Sequence, residues 1–130
     1  MAIRIVRLGS PREKGEGLRI GTVRRPPRGV PKHEFASRNF YDVWLPNLSP
    51  SEELLRRALK VEDARGWRAF VRAFRSEMKR PEASRVLDLL AALSRGADFA
   101  VGCYCVDEER CHRSILRALL EERGATVLKA

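Results

Sequence analysis

Apolar positions recur along this chain with two different periods. Near the amino end they alternate with polar ones: Ile3 and Ile5 flank Arg4, so residues 2–8 read as a strand. A loop follows from Gly9 to Gly17. Residues 18–24 predict a second strand, which Pro26-Pro27-Arg28-Gly29 must end, because two prolines and a glycine exclude regular structure. Residues 25–39 are then expected to form a long basic loop, and 41–45 a short third strand.

Beyond residue 48 the period changes to that of a helix. Ser49-Pro50-Ser51-Glu52 has a capping-box pattern, with Ser49 as the expected cap and Pro50 at the first helical position. Trp67, Phe70, Val71, Phe74 and Met78 then repeat at helical spacing, giving residues 63–79 an aromatic stripe. Apolar periodicity marks burial, so the stripe is read as core and not as a base-stacking surface. Pro81 opens another helix, with Ala83, Val86, Leu87, Leu90 and Leu93 facing inward and Gly96 stopping it. Residues 98–104 form an apolar strand. A helix through Glu122 follows, with Ile115, Leu116, Leu119 and Leu120 on one face and Gly124 as its cap. Residues 126–128 return as a strand, parallel to the one before the helix.

These elements predict an α/β fold: a single domain over 1–130, a small and largely parallel sheet packed with helices, and a carboxy-terminal strand–helix–strand unit. At 130 residues the chain fits one domain. No stretch has the roughly 18 unbroken apolar residues of a membrane span. Arg4 and Arg7 also interrupt any secretory leader at the amino end. The expectation is a cytoplasmic protein without a membrane partner.

Charge changes the picture by its distribution. The net charge is +9, and residues 1–40 hold ten Lys/Arg against three Asp/Glu, while the remainder is close to balanced. Arginine outnumbers lysine by 21 to 5. Planar guanidinium forks suit phosphate recognition, and a coding bias toward arginine explains the same count. The basic third therefore admits an anionic small molecule or a nucleic acid as partner.

Candidate chemistry is concentrated in Cys103-Tyr104-Cys105-Val106-Asp107-Glu108-Glu109-Arg110-Cys111-His112-Arg113. Three cysteines within nine positions argue against a disulfide framework, which uses even counts spread along the chain. If the strand persists, Cys103 and Cys105 share a face. Asp107 is a plausible cap for the next helix, which puts Cys111, His112 and Arg113 in its first turn.

Three readings stay open. In the first, Cys111 is a catalytic thiol favoured as thiolate by the helix terminus, His112 is its acid or base with Cys103 beside it, and Arg113 holds an anion. The segment lacks the cysteine-x5-arginine spacing of thiol phosphatases, and Asp107, Glu108 and Glu109 would repel both a thiolate and a phosphate. In the second, Cys103, Cys105, Cys111 and His112 hold zinc. The ligand types suit it, but the spacing is not that of the usual knuckles, and adjacent Cys111 and His112 would point about 100° apart on a helix. In the third, the cysteines are small buried apolar residues, and His112 and Arg113 bond carbonyls, Asp98 or Glu109. The sequence itself requires no cofactor, and zinc enters only with the second reading.

The run from Cys103 to Cys111-His112-Arg113-Ser114, followed by an apolar helix ending at Gly124, resembles domain-of-unknown-function family 488, which includes the YeaO-like proteins. Pro27-Arg28-Gly29-Val30, Asp42-x-Trp44-Leu45, Leu48-x-Pro50-Ser51 and Trp67…Phe70…Phe74…Glu77 follow the YeaO-like order and spacing. The resemblance covers nearly the whole chain. It departs at Cys105, where many relatives carry an acidic residue, and at Val23 and Pro26, where YeaO-like members place Asp and Trp.

What the resemblance implies is a compact α/β fold with a shared pocket, and no particular reaction. The matching polar positions are Arg24, Arg28, Asp42, Trp44, Cys103, Cys111, His112 and Arg113. Arg24, Arg28 and Arg113 are the expected anion binders, with Asp42, Trp44 and Cys105 in the pocket. Trp44 as core and Asp42 as its partner is the plainer alternative. Arg28 is harder to explain structurally, since a rigid loop that aims an arginine has few structural uses. The expectation is a small enzyme acting through a Cys-His-Arg site on an anionic, nucleotide-like ligand. A nucleic-acid-binding module using the basic third is the alternative from another class, and a metal-bearing structural domain is a third.

Overall fold

A computed structural model describes residues 1–128. Four parallel strands form its sheet: β1 (Ile3–Arg7), β2 (Leu18–Gly21), β3 (Val43–Trp44) and β4 (Phe99–Cys103). Their spatial order is β1-β4-β2-β3, so β4 lies between the first two strands. Register pairs Ile3 with Phe99 on one side and Leu18 with Phe99 on the other. All five residues of β4 are buried, as expected of a central strand covered on both faces.

Four helices complete the α/β fold: α1 (Glu52–Ala58), α2 (Ala64–Glu77), α3 (Pro81–Leu93) and α4 (His112–Glu122). The aromatic stripe packs as core: Phe70, Phe74 and Met78 join Ile3, Ile5, Ile20, Phe99 and Val101 in one cluster, with Trp67 and Val71 against its edge. The opposite face of β2 presents Arg19 and Gly21. A Cβ at Gly21 would lie 2.3 Å from the Tyr41 ring, so only glycine lets that ring lie on the strand.

Several boundaries differ from the expectation. The first helix is capped by Ser51, whose hydroxyl accepts from the Leu54 N–H, so Pro50 precedes the cap. Ser49 instead sits buried, its carbonyl taken by Arg24. The basic loop contains a short 3-10 turn, Lys32–Glu34. Leu93, expected inward, is 48% exposed in the last turn of α3. Residues 126–128 contribute one parallel bridge, Val127 to Ile3, so the returning chain runs beside β1 and not beside β4. Gly124 ends α4 at φ +83°, the left-handed conformation that glycine adopts without strain.

Candidate functional site

The site begins where β4 ends. The chain leaves the sheet at Cys103 and does not continue as a strand, so Cys105 is an exposed loop residue and the shared face with Cys103 does not form. Asp107 caps a 3-10 turn, Glu108–Arg110, by accepting from the Glu109 N–H; it is not the cap of α4. The residue at the start of α4 is Cys111, extended at φ −127° and ψ 151°, with no side-chain cap bond. Its thiol therefore sits at the positive end of an eleven-residue helix, whose pull toward thiolate is opposed by the burial of Cys111 and by Cys105. The acidic residues expected to repel do not line the adjacent pocket: Arg117 holds Glu108 at 2.8 Å, and the carboxylate in the lining is Glu62, with Arg110 also in the wall.

Cys103, Cys111 and His112 come together, buried, with their ligating atoms all within 4.8 Å of one another. The Cys103 and Cys111 sulfurs are 2.6 Å apart. His112 is oriented from β2. Its Nε2 lies 2.7 Å from the Thr22 carbonyl oxygen, which can only accept, so the proton belongs on Nε2. Nδ1 then carries its lone pair, 3.7 Å from the Cys111 sulfur. Phe74 packs edge-on against the ring at 5.6 Å. Burial lowers the His112 pKa to about 4 against the opposing pull of the Thr22 bond, so the imidazole is neutral near pH 7.

The three thiols share the cost of ionising. Hydrogen bonding with Cys105 and Cys111, and then burial, push the Cys103 thiol far up. The neighbouring Cys103 and Cys111 thiols hold Cys105 well below the usual thiol value, helped by the charge of Arg113. For Cys111 the bond with Cys103 works downward, but Cys105 and burial outweigh it and raise the thiol to about 11. Cys105 is the one exposed sulfur of the three, so a negative charge costs least desolvation there.

Cys105, Cys111 and His112 open on a cavity of about 280 Å³, walled also by Pro50, Trp67 and Arg110. The Arg110 guanidinium lies 5.8 Å from the centre of the Trp67 ring, a cation–π contact at the cavity wall. Arg113 is 3% exposed; it donates to the Cys105 carbonyl at 2.7 Å, while its Nε has no partner among the described residues. Asp98 accepts from the Ala2 N–H, away from both.

The remaining residues singled out from the sequence lie elsewhere. Arg24 is tied to the carbonyls of Ser49 and Pro50. Arg28 is exposed on its turn. Asp42 binds Arg12 and the Arg19 N–H. The Trp44 indole N–H donates to the Val23 carbonyl. Arg24 and Arg113 thus spend bonds on carbonyls, those of Pro50 and Cys105, while Arg28 is exposed. Thr22 and Arg110, which do belong to the thiol site, were missed from the sequence. Arg110 adjoins the Cys111-His112 pair and was available to be read; nothing local marks Thr22, which reaches His112 across 90 positions.

Among the described residues no helix is long and apolar enough to cross a membrane. No curated protein and no solved structure matches the chain. A family model described as the active DUF488-N3 subclade matches residues 3–124. With almost its whole length matched, the chain belongs to the DUF488 family.

Proposed function

We propose that the protein is a thiol-dependent enzyme acting on an anionic, nucleotide-like ligand bound in the 280 Å³ cavity. The observation that carries this reading is the orientation of His112: its Nε2–H is spent on the Thr22 carbonyl, leaving Nδ1 to face the Cys111 thiol. A base fixed by a third group and aimed at a thiol is the arrangement of nucleophilic catalysis. Cys105, exposed and favoured as thiolate, attacks an electrophilic centre of the ligand. The bond to the leaving group breaks as the Cys105 sulfur bonds to that centre, the leaving group takes the Cys111 thiol proton, and the water that then hydrolyses the Cys105 adduct returns a proton to Cys111, which His112 Nδ1 orients. Arg110 at the cavity wall and Arg113 behind Cys105 supply the positive charge. The family description, which terms this subclade active, agrees with that reading.

Iodoacetamide alkylation across pH, mapped by mass spectrometry, tests it. Cys105 is expected to react first, already below pH 7, and Cys111→Ser is expected to move its reactivity to higher pH. Uniform labelling only near pH 9, or labelling of Cys103 before Cys105, overturns the proposal.

The close approach of Cys103, Cys111 and His112 supports one second reading, a zinc site completed by Cys105. His112 Nδ1 and the three sulfurs would be the ligands. About one zinc per chain, by elemental analysis of untagged protein purified without chelator, favours that reading and removes the free nucleophile.

A further inference from the structure

We propose a second binding site: the cavity beside Trp44 takes one unpaired base of a single-stranded nucleic acid, with the flanking phosphates on the basic loop. The cavity has a volume of about 440 Å³ and is lined by Pro26, Lys32, Phe35, Tyr41, Asp42 and Trp44, among others. That volume falls within the roughly 300–1,000 Å³ of small-ligand sites. Three of the six are aromatic. Phe35 and Tyr41 meet edge to face at 5.3 Å and fix one another. Trp44 remains 43% exposed although its indole N–H is held by the Val23 carbonyl at 2.8 Å. A half-exposed indole whose polar end is already bonded offers a flat, preorganised ring, the element on which unpaired bases stack.

Charge supplies the other half. Residues 22–39 hold five Lys/Arg and one acid, Glu34. Arg24 bonds carbonyls and Arg25 pairs with Glu52. Arg28, Lys32 and Arg38 are exposed, and among the described residues none of them forms an ion pair with an acid. The two prolines and Gly29, at φ +74°, hold Arg28 on a stiff turn next to Pro26 of the cavity wall. Asp42 is the one carboxylate in the lining, and its oxygens are already engaged by Arg12 and the Arg19 N–H. An aromatic cleft lined by Lys32, with two more unpaired cations, Arg28 and Arg38, on the same loop, matches a planar base joined to phosphates better than it matches an apolar ligand. A single strand fits because a base in a duplex must first leave its stack to enter. The site is distinct from the thiol pocket, and the two are anchored by neighbouring carbonyls: Thr22 holds His112 and Val23 holds Trp44.

Fluorescence anisotropy of the full chain with labelled oligothymidylate tests the proposal. Binding is expected to weaken with salt at a log–log slope of about −2, for three phosphates at roughly 0.7 each. Trp44→Ala is expected to weaken it about tenfold at unchanged slope, the loss of one base–aromatic stack. Trp44→Phe keeps most of the affinity. Arg28→Ala and Lys32→Ala each reduce the slope by about 0.7. Circular dichroism checks that each variant is folded. Should Trp44→Ala not fold, quenching of Trp44 emission by the strand in a Trp67→Phe background reads the same contact. Absent binding, a folded Trp44→Ala that binds as the parent does, a missing quench, or a duplex or thymidine monophosphate binding as tightly as the strand overturns it.

Discussion

Arg19 and His112 are both polar, both buried and both tied to β2 or the residues after it, yet their surroundings differ in kind. Every guanidinium N–H of Arg19 has an acceptor: both Glu16 oxygens at 2.9 Å and the carbonyls of Ser10, Pro11 and Asn39. Burial pushes the Glu16 carboxyl up, but the bonds and charge of Arg19 outweigh it and hold the group below its usual value. That knot is closed, and it pins the loops covering one face of the sheet. Around His112 the accounts stay open: one nitrogen is fixed, the other faces a thiol at 3.7 Å, and Arg113 nearby has an unbonded Nε. A buried polar network that is fully satisfied serves structure, whereas one left partly unsatisfied marks where a ligand can act.

The sharpest way to break the comparison is at Arg19. Arg19→Ala leaves Glu16 buried without its counter-charge and is expected to cost about 3–5 kcal/mol, read by urea denaturation. A loss near zero would mean that the knot is not what holds these loops.

Next is the pH dependence of His112. Its pKa is lowered on folding to about 4 from an ordinary 6.5, so the unfolded chain binds the proton more readily. Stability is therefore complete above about pH 6.5 and falls as pH drops toward 4, by about 3 kcal/mol in all. His112→Gln should flatten that window in denaturation curves taken across pH. Glu16 and Asp42, both held below the usual carboxylate value, add further loss at more acid pH in parent and variant alike.

Arg113→Met sharpens the contrast from the other side. Removing a buried charge with so few partners is expected to be neutral or to stabilise by about 1 kcal/mol, the opposite sign to Arg19→Ala, while raising the pH at which Cys105 alkylates. A large destabilisation would place Arg113 with Arg19 as structural. The smallest effect is expected for Tyr41→Phe. The Tyr41 hydroxyl is buried and unpartnered among the described residues, so removing it should change the melting point by no more than the equivalent of about 1 kcal/mol, upward if at all.

Most of the fold was legible in the chain because its signals are local. Alternation gave β1, the aromatic stripe gave α2, and Pro81 and Gly124 bounded α3 and α4. Ser49 was mistaken for a cap because two serines flank Pro50 and either fits the pattern; packing chose Ser51, which also donates to Glu77. Arg19 read as an ordinary strand position, since nothing nearby in sequence announces that Ser10, Pro11 and Asn39 will turn their carbonyls toward it.

The amino-acid sequence alone determined that this is an α/β chain of the DUF488 family, and that its thiols, histidine and arginine cluster within residues 103–113. Periodicity, prolines, glycines and motif spacing carry that information over a few residues each. Which sulfur is exposed, which nitrogen of His112 is free, and that Trp44 lines a different cavity from the thiols all follow from the packing of distant segments. Those outcomes depend on burial and on contacts such as Thr22 with His112, 90 positions apart, and such contacts exist only once the sheet has brought β2 beside β4.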